Sequence, residues 1–530
     1  MNNRKSWLML ILGFVVIIVI SCGKDGDSLD VIIPVDTIPS DTISGDSVEV
    51  CFELLDNTGR RYQPFYVTDN TLHYAVDAKT DLTEITPMPI GKSDTIIIND
   101  IKLPFDSCAL DFSDFTRPVI FQSYKSDSSC VKYTVNLYNL PVLLVDTPDA
   151  LPIESKTQRI EGCSVRLVSS NEDISLGTAG IRGRGNSSWE QPKKPYNVRL
   201  NKSNGILGMK KSKHWLLLAN AYYDRTQIHN ATAFEIARLT DFPWVQSGKF
   251  VELILNGEHK GLYYLCEKIE VDNDKIDIKV KDPVDDTDCA YLLESYVVYE
   301  EDPLKVDMPA GCFLTNVFNT SGDWRQHVTL AWEIKEPEEF EQKHKDYIFS
   351  SLCDVEKLIR DSIDAGTYRS YVDIDTFVDW WLVEELCLNE EASRSKNVYI
   401  YKSGINGKFC MGPPWDFDAW SFGLYWTPGE FVPGHYFSKD CAVYFKELFK
   451  DSVFVNRVKE KWSRYKPVWE KHIPQFIDEN YTLIRESAER NELMWPRWYF
   501  PNETYKQTVT EMRDAFMIQL YWMDEQIRNM

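Results

Sequence analysis

The apolar positions of this 530-residue chain change period along its length. Short runs of alternating apolar and polar residues come first: Val48–Leu54, Leu72–Val76, Thr95–Ile98, Val119–Phe121 and Cys130–Leu137. Period-two alternation reads as half-buried strand, and turn residues at regular intervals between such runs are the pattern of a β-sandwich. A small all-β, immunoglobulin-like module is therefore expected over residues 48–139. Pro141 opens a second region, with strands expected at Val142–Asp146, Ser164–Val168, Tyr196–Leu200, Trp215–Ala219 and Phe250–Leu255. The last runs through Asn256-Gly257, a hairpin dipeptide, into Lys260–Leu265. One helix interrupts them, Thr226–Leu239, with Ile228, Ala231, Phe234 and Ile236 among its apolar positions. Beyond residue 340 the period is helical: Phe340–Ala365, Asp375–Leu388, Val453–Arg485 and Thr504–Ile527. A strand-rich half (140–335) followed by a helix-rich half (336–530) is an α+β arrangement in two lobes. The sequence holds no internal repeat.

The first residues have a different pattern. Arg4 and Lys5 precede an apolar run from Leu8 to Ile20, broken only by Gly13 and ending in Val19-Ile20-Ser21-Cys22. A basic start, an apolar stretch and a small residue at the end make a secretory signal, whereas a spanning helix needs about 20 apolar residues. The segment resembles a bacterial lipobox, which implies residues 1–22 as signal and Cys22 as the lipidated residue, anchored to a membrane. The acidic tether Gly23–Asp27 resembles surface-export signals of Gram-negative lipoproteins, implying a surface-exposed lipoprotein of the cell envelope, in the outer membrane. Residues 23–47, rich in Asp, Ser and Thr with Pro34 and Pro39, read as a solvated linker.

Composition narrows the function. Apolar residues make up 43% of the chain, enough for large cores. The 16 tryptophans and 27 tyrosines are first of all core material. A formal net charge of −23 argues against nucleic acid as a partner, because phosphate neutralisation needs a basic surface. The 12 cysteines form no CxxC pair, so a zinc site of the usual spacing is not expected. Cys108 and Cys130 are the first pair to test for a disulfide. Runs such as Leu265-Cys266-Glu267 suit buried free thiols.

Three constellations carry candidate chemistry. In Arg182-Gly183-Arg184-Gly185-Asn186-Ser187-Ser188-Trp189, two glycines let the backbone approach a ligand, and Arg184 with Lys193 and Lys194 adds charge suited to an anion. The same pattern also fits a tight turn between strands. Asn389-Glu390-Glu391 leads to Lys396-Asn397, a carboxylate and amide that could accept a proton and hold a metal. In Trp415-Asp416-Phe417-Asp418, after a hairpin expected at Asn406-Gly407, two carboxylates on a strand would point the same way, about 7 Å apart. Their order along the chain is that of a protein-kinase site, although no His-Arg-Asp or Asp-Phe-Gly stands here.

Ile181–Trp189, Lys193–Tyr196, Leu207-Gly208-Met209, Trp215–Asn220, Asn256-Gly257-Glu258, Gly261-Leu262-Tyr263 and Trp415–Asp418 together resemble the CotH (spore coat protein H) family of atypical protein kinases. The resemblance implies a two-lobed kinase-like domain over residues 140–530. It also implies phosphorylation of Ser in exported proteins from ATP, with Mg²⁺ or Mn²⁺. By the same resemblance Arg184, Asn186 and Lys194 would bind nucleotide, Asn397, Asp416 and Asp418 metal, and Glu391 and Asp416 would be catalytic. Where the family places an Asp shortly after the Asn at Asn389, this chain has Glu391. That departure motivates a second reading, a catalytically weak or inactive kinase fold that binds protein or glycan at the surface. A third, metal-dependent hydrolysis, rests on Asp416 and Asp418 alone.

Overall fold

The computed structural model describes residues 52–68, 71–89, 95–98, 101–102, 109–114, 119–124, 130–220, 224–278, 286–298, 310–319, 329–393, 396–423, 433–436, 438–439, 444–496 and 503–530. The expected signal segment, Cys22, the expected linker and the thiols of Cys108 and Cys130 lie outside them. All described residues belong to one compact unit, Cys51–Met530.

Residues 52–138 form two sheets. One has Phe52–Leu55 between Arg61–Tyr62 and Thr86–Pro89. The other has six strands, with Thr71–Ala75 and Cys130–Tyr138 parallel in the register Leu72↔Val135. Alternation does the packing: Phe52 and Leu54 are buried, and the Phe52 ring stacks on Phe121 (4.1 Å) and Tyr74 (6.1 Å) of the second sheet. The short strands Arg61–Tyr62, Tyr66–Thr68, Thr86–Pro89 and Ile101–Lys102 were not legible, since so few residues show no period.

The next seven strands close into a barrel, in the order Val142–Asp146, Ile160–Val168, Asp173–Gly183, Tyr196–Asn204, Ser212–Leu218, Glu258–Glu267 and Gly248–Leu255. Closure comes from parallel pairing of the first with the last, Val142↔Glu252. Asn256 and Gly257 take φ values of 51° and 78° between Leu255 and Glu258, the left-handed pair that a two-residue hairpin requires. Trp215, Leu217, Tyr263 and Leu265 fill the barrel, while Leu216, Leu218, Leu262 and Tyr264 face the helical core. Burial on both faces explains the continuous apolar runs at Trp215–Leu218 and Gly261–Cys266.

A five-stranded sheet follows: Cys312–Asn319, Thr329–Glu336, Ala290–Val298, Tyr399–Ser403, Phe409–Met411. Strands from either side of residue 336 share it. The expected two-residue turn at Asn406-Gly407 is instead a wider loop between the paired residues Lys402 and Phe409. The Lys402 ammonium sits inside the loop and donates to the carbonyls of Gly404 (2.5 Å), Ile405 (2.7 Å) and Gly407 (2.7 Å).

Among the described residues eight α-helices complete the fold: α1 (Ser187–Glu190), α2 (His229–Arg238), α3 (Gln342–Asp361), α4 (Ile374–Leu386), α5 (Glu390–Ser393), α6 (Phe445–Leu448), α7 (Ser452–Met494) and α8 (Tyr505–Arg528). Helix α2 starts three residues later than its periodicity predicts, because the Asp224 carboxylate accepts from the amides of Thr226 (2.9 Å), Gln227 (2.7 Å) and His229 (2.8 Å). Helix α4 is buried from Thr376 to Leu386 and forms the centre of the helical core, with Trp380 and Trp381 nearly inaccessible. Helix α7 outruns its prediction, continuing past Arg485 to Met494, and it runs unbroken through Pro467 and Pro474. Its stripe Phe454, Val458, Trp462, Tyr465, Trp469, Ile473, Ile477 and Ile484 keeps helical spacing throughout, and burial of that stripe outweighs the lost backbone bonds. Among the described residues no helix is long and apolar enough to cross a membrane. The seven described cysteines, Cys266 included, are free thiols, six of them buried.

Candidate active site

A cleft opens where the barrel meets α2 and the segment after the five-stranded sheet. It is lined by Arg184, Ser188 and Gln191 of the glycine segment, Lys193, Asn220, Asn230 of α2, and Asp416 with Asp418.

The glycine segment leaves the strand Asp173–Gly183, turns through Gly185 at φ 81° and enters α1. Neither glycine tolerates a side chain. A Cβ on Gly183 would lie 2.3 Å from the Trp189 ring, and one on Gly185 2.1 Å from the Ser188 hydroxyl. The turn thus packs down on α1 and aims Arg184 inward, where its guanidinium lies 5.5 Å from the Trp415 ring centre. Asn186 is exposed at the start of α1, and its carbonyl accepts from the Trp189 amide (3.1 Å).

The two lysines part company. Lys194 turns back on its own segment, donating to the Trp189 carbonyl (2.6 Å) with its ammonium over the Trp189 ring. Lys193 is the one that lines the cleft. It is 2% exposed, donates to the carbonyls of Ala219 (2.8 Å) and Leu262, and sits 4.3 Å from the Tyr263 ring centre. Burial pushes its pKa down to about 7, partly opposed by Glu252. The two ammonium groups reach different partners, and the sequence alone cannot say which of two neighbouring lysines reaches the cleft.

Three of the acidic and amide positions form one connected chain. The Asn397 amide nitrogen donates to Glu391 Oε2 (2.8 Å) and to Asp416 Oδ2 (2.8 Å), and Lys396 Nζ lies 2.5 Å from Glu391 Oε1. Glu391 is held from behind. Its amide donates to Asn389 Oδ1 (3.1 Å), and Asn389 Nδ2 donates to Glu384 Oε2 (2.8 Å) at the buried end of α4. Asn397 and Asp416 adopt left-handed φ values of 60° and 70°, a strained backbone of the kind that clusters at functional sites. Residues 412–418 are therefore not the expected strand, although Asp416 and Asp418 still reach the same cleft. Between them, the Phe417 amide donates to Asn230 Oδ1 (3.0 Å), which pins the segment to α2. Desolvation, then the neighbouring carboxylates Asp416, Glu391 and Asp224, push Asp418 well above the usual carboxylate range, and Arg184 only partly offsets them.

This donor set fits a small divalent cation. Carboxylates and amide oxygen are the hard ligands that Mg²⁺ and Mn²⁺ prefer, and a local excess of negative charge is what a cation relieves. Among the described residues no cluster of three His, Cys, Asp or Glu forms a cage by itself. Mg²⁺ sites of the nucleotide type need none, because one or two carboxylates and the substrate's phosphates complete the shell.

Sequence reasoning passed over Asn220, Asp224, Asn230 and Glu384. Asp224 had a readable signal, an Asp ahead of Thr226 and an apolar helical run. Asn230 and Glu384 had none, being polar residues inside buried helices.

No curated protein matches the chain. A family model described as CotH kinase protein matches residues 181–519, from the strand leading into the glycine segment to the last turns of α8. That match covers more than half of the chain and both walls of the cleft, and the chain belongs to the CotH kinase family.

Proposed function

We propose that this protein is a metal-dependent protein kinase that moves the γ-phosphoryl group of ATP to Ser hydroxyls of exported or surface proteins. One observation carries the reading. A cationic wall, Arg184 and Lys193, faces an oxygen-donor wall, Asp416 and Asp418, across a single cleft. ATP supplies the phosphoryl group and Mg²⁺ or Mn²⁺ offsets its charge. Asn397 and Asp416 hold the metal, with Asp418 beside them. Arg184 and Lys193 receive the phosphates, and Lys193 takes the role that sequence had given to Lys194. Glu391, fixed through Asn389 and Glu384, orients the seryl hydroxyl and takes its proton late. Positioning and preorganised charge supply most of the acceleration. The barrel with α2 acts as the small lobe of a kinase-like pair and the helical core as the large one. The module at residues 48–139 serves as an immunoglobulin-like spacer or recognition unit. The experiment is transfer of radiolabelled phosphate to protein, with and without Mn²⁺. Absence of transfer by wild type, or equal transfer by Asp416→Ala, rejects the reading.

A second reading, nucleotide binding without turnover, is favoured by the engagement of both Glu391 oxygens, by Lys396 and by Asn397. A thermal shift with ATP and Mn²⁺ but no transfer selects it. Anchoring through Cys22 is tested separately. Cys22→Ser is expected to lose labelled fatty acid and to leave the membrane fraction.

A further inference from the structure

Asn220 is a polar residue at the cleft with an unspent oxygen. Its side chain is 6% exposed and lines the same cleft as Lys193, Asp416 and Asp418. The amide is anchored at one end, because Nδ2 donates to the Gln227 carbonyl (3.3 Å). That bond fixes the orientation of the group: flipping the amide would set oxygen against oxygen. Oδ1 is thereby left buried with no hydrogen-bond partner. A buried polar atom without a partner is uncommon and costs free energy unless something supplies one. The residue also sits at φ 47°, a left-handed conformation that places an Asn there at some backbone cost.

An amide oxygen can only accept, which narrows what completes it. Phosphate oxygens are acceptors themselves and would repel it. Lys193 is turned toward the Ala219 and Leu262 carbonyls, and Asn220 Oδ1 accepts no hydrogen bond from it or from Arg184. A divalent cation is the partner that suits a buried amide oxygen beside carboxylates, because a bare ion is small and prefers hard oxygen. We infer that Asn220 is a cation ligand of this site, its Oδ1 joining the carboxylate wall of Asp416 and Asp418 from the barrel side. This rests on reading the cleft as a metal–nucleotide site and adds to it a ligand from the opposite wall, which would tie the barrel to the acidic segment when metal is bound.

The test is direct Mn²⁺ binding by the purified full chain, followed by electron paramagnetic resonance or calorimetry, first with Mn²⁺ alone and then with ATP or inorganic tripolyphosphate. Asn220→Leu is expected to weaken Mn²⁺ binding at least about tenfold, and Asn220→Asp, of the same shape with added charge, to tighten it. The Asp variant keeps the inference falsifiable where the Leu variant fails to fold. If wild type binds Mn²⁺ and Asn220→Asp binds it no more tightly, or a folded Asn220→Leu binds it equally well, this inference falls while the kinase reading stands. If the Asn220 variants change affinity for ATP but not for Mn²⁺ or tripolyphosphate, the oxygen serves the nucleoside and the inference is likewise overturned. If wild type binds no Mn²⁺ with any of these probes, both readings fail.

Discussion

Glu252 and Asp418 are acids drawn out of water in neighbouring parts of one core, and they shift in opposite directions. Glu252, on the barrel strand beside α7, is fully buried. Burial works to raise its pKa, but His259 (2.8 Å) and Arg490 (3.7 Å) outweigh it and leave the carboxyl at about 2. The surroundings continue the pattern. Arg490 donates to the Leu137 carbonyl (2.7 Å), Tyr138 meets the His259 ring edge-on, and His73 bonds the Tyr138 hydroxyl (3.0 Å). At the cleft, Asp418 has carboxylates for neighbours and rises instead. A buried acid matched by nearby cations holds elements together. One surrounded by further carboxylates is arranged for something that is not protein.

The sharpest way to break that contrast is to neutralise one acid on each side. Asp416→Ala is expected to reduce phosphoryl transfer by about 10⁴-fold while barely moving the unfolding midpoint, because it removes a like charge as well as a ligand. Assay of transfer together with urea denaturation reads both. Glu252→Gln is expected to do the reverse. It strands Arg490 and His259 and costs about 3–5 kcal/mol of stability, with Mn²⁺ affinity unchanged. Because the folded pKa of Glu252 lies below its ordinary 4.5, its contribution is fully present above pH 4.5 and is lost as pH falls toward about 2. The variant should flatten that part of the acid limb.

Lys193 tests the comparison from the cationic side. Its depressed pKa means the unfolded chain binds more protons than the folded one between about pH 7 and 10.5, so stability rises with pH in that window. Lys193→Met is expected to abolish this rise and to weaken nucleotide binding by about 10- to 100-fold. Urea titrations at several pH values and ATP binding by calorimetry check the two effects. His73 offers a smaller effect. Burial, then His259, lowers it from 6.5 to about 4, so its share of stability is present above pH 6.5 and lost between 6.5 and 4. In His73→Asn that window should disappear from the stability profile. Smallest of all, Lys194→Met should change nucleotide affinity by no more than about twofold, because its ammonium lies over the Trp189 ring and not in the cleft lining. A loss comparable to that of Lys193→Met would return the nucleotide role to Lys194.

The sequence was most legible where one periodicity ran unbroken. Val142–Asp146 and Thr95–Ile98 have the bounds that their apolar runs predict, and α4 and α8 fall within two residues of theirs. Legibility failed at Ala290–Val298, Cys312–Asn319 and Thr329–Glu336, which gave no strand expectation at all. They pair with one another, and Ala290–Val298 pairs in turn with Tyr399–Ser403, a long-range event that no local window contains. At the cleft, residue types and order marked Arg184, Glu391, Asn397, Asp416 and Asp418 as candidates. What the order could not show was the chain of contacts from Glu384 through Asn389, Glu391 and Asn397 to Asp416.

By itself, then, the sequence determined the α+β character, the glycine segment and the acidic motif, because period, turn chemistry and residue type are local properties of a chain. Tertiary structure decided barrel closure, the choice of Lys193 over Lys194 as the cleft lysine, and the isolation of the Asn220 oxygen. Each of these depends on which groups are brought together after burial, and burial sets both the direction a side chain faces and the cost of leaving it without a partner.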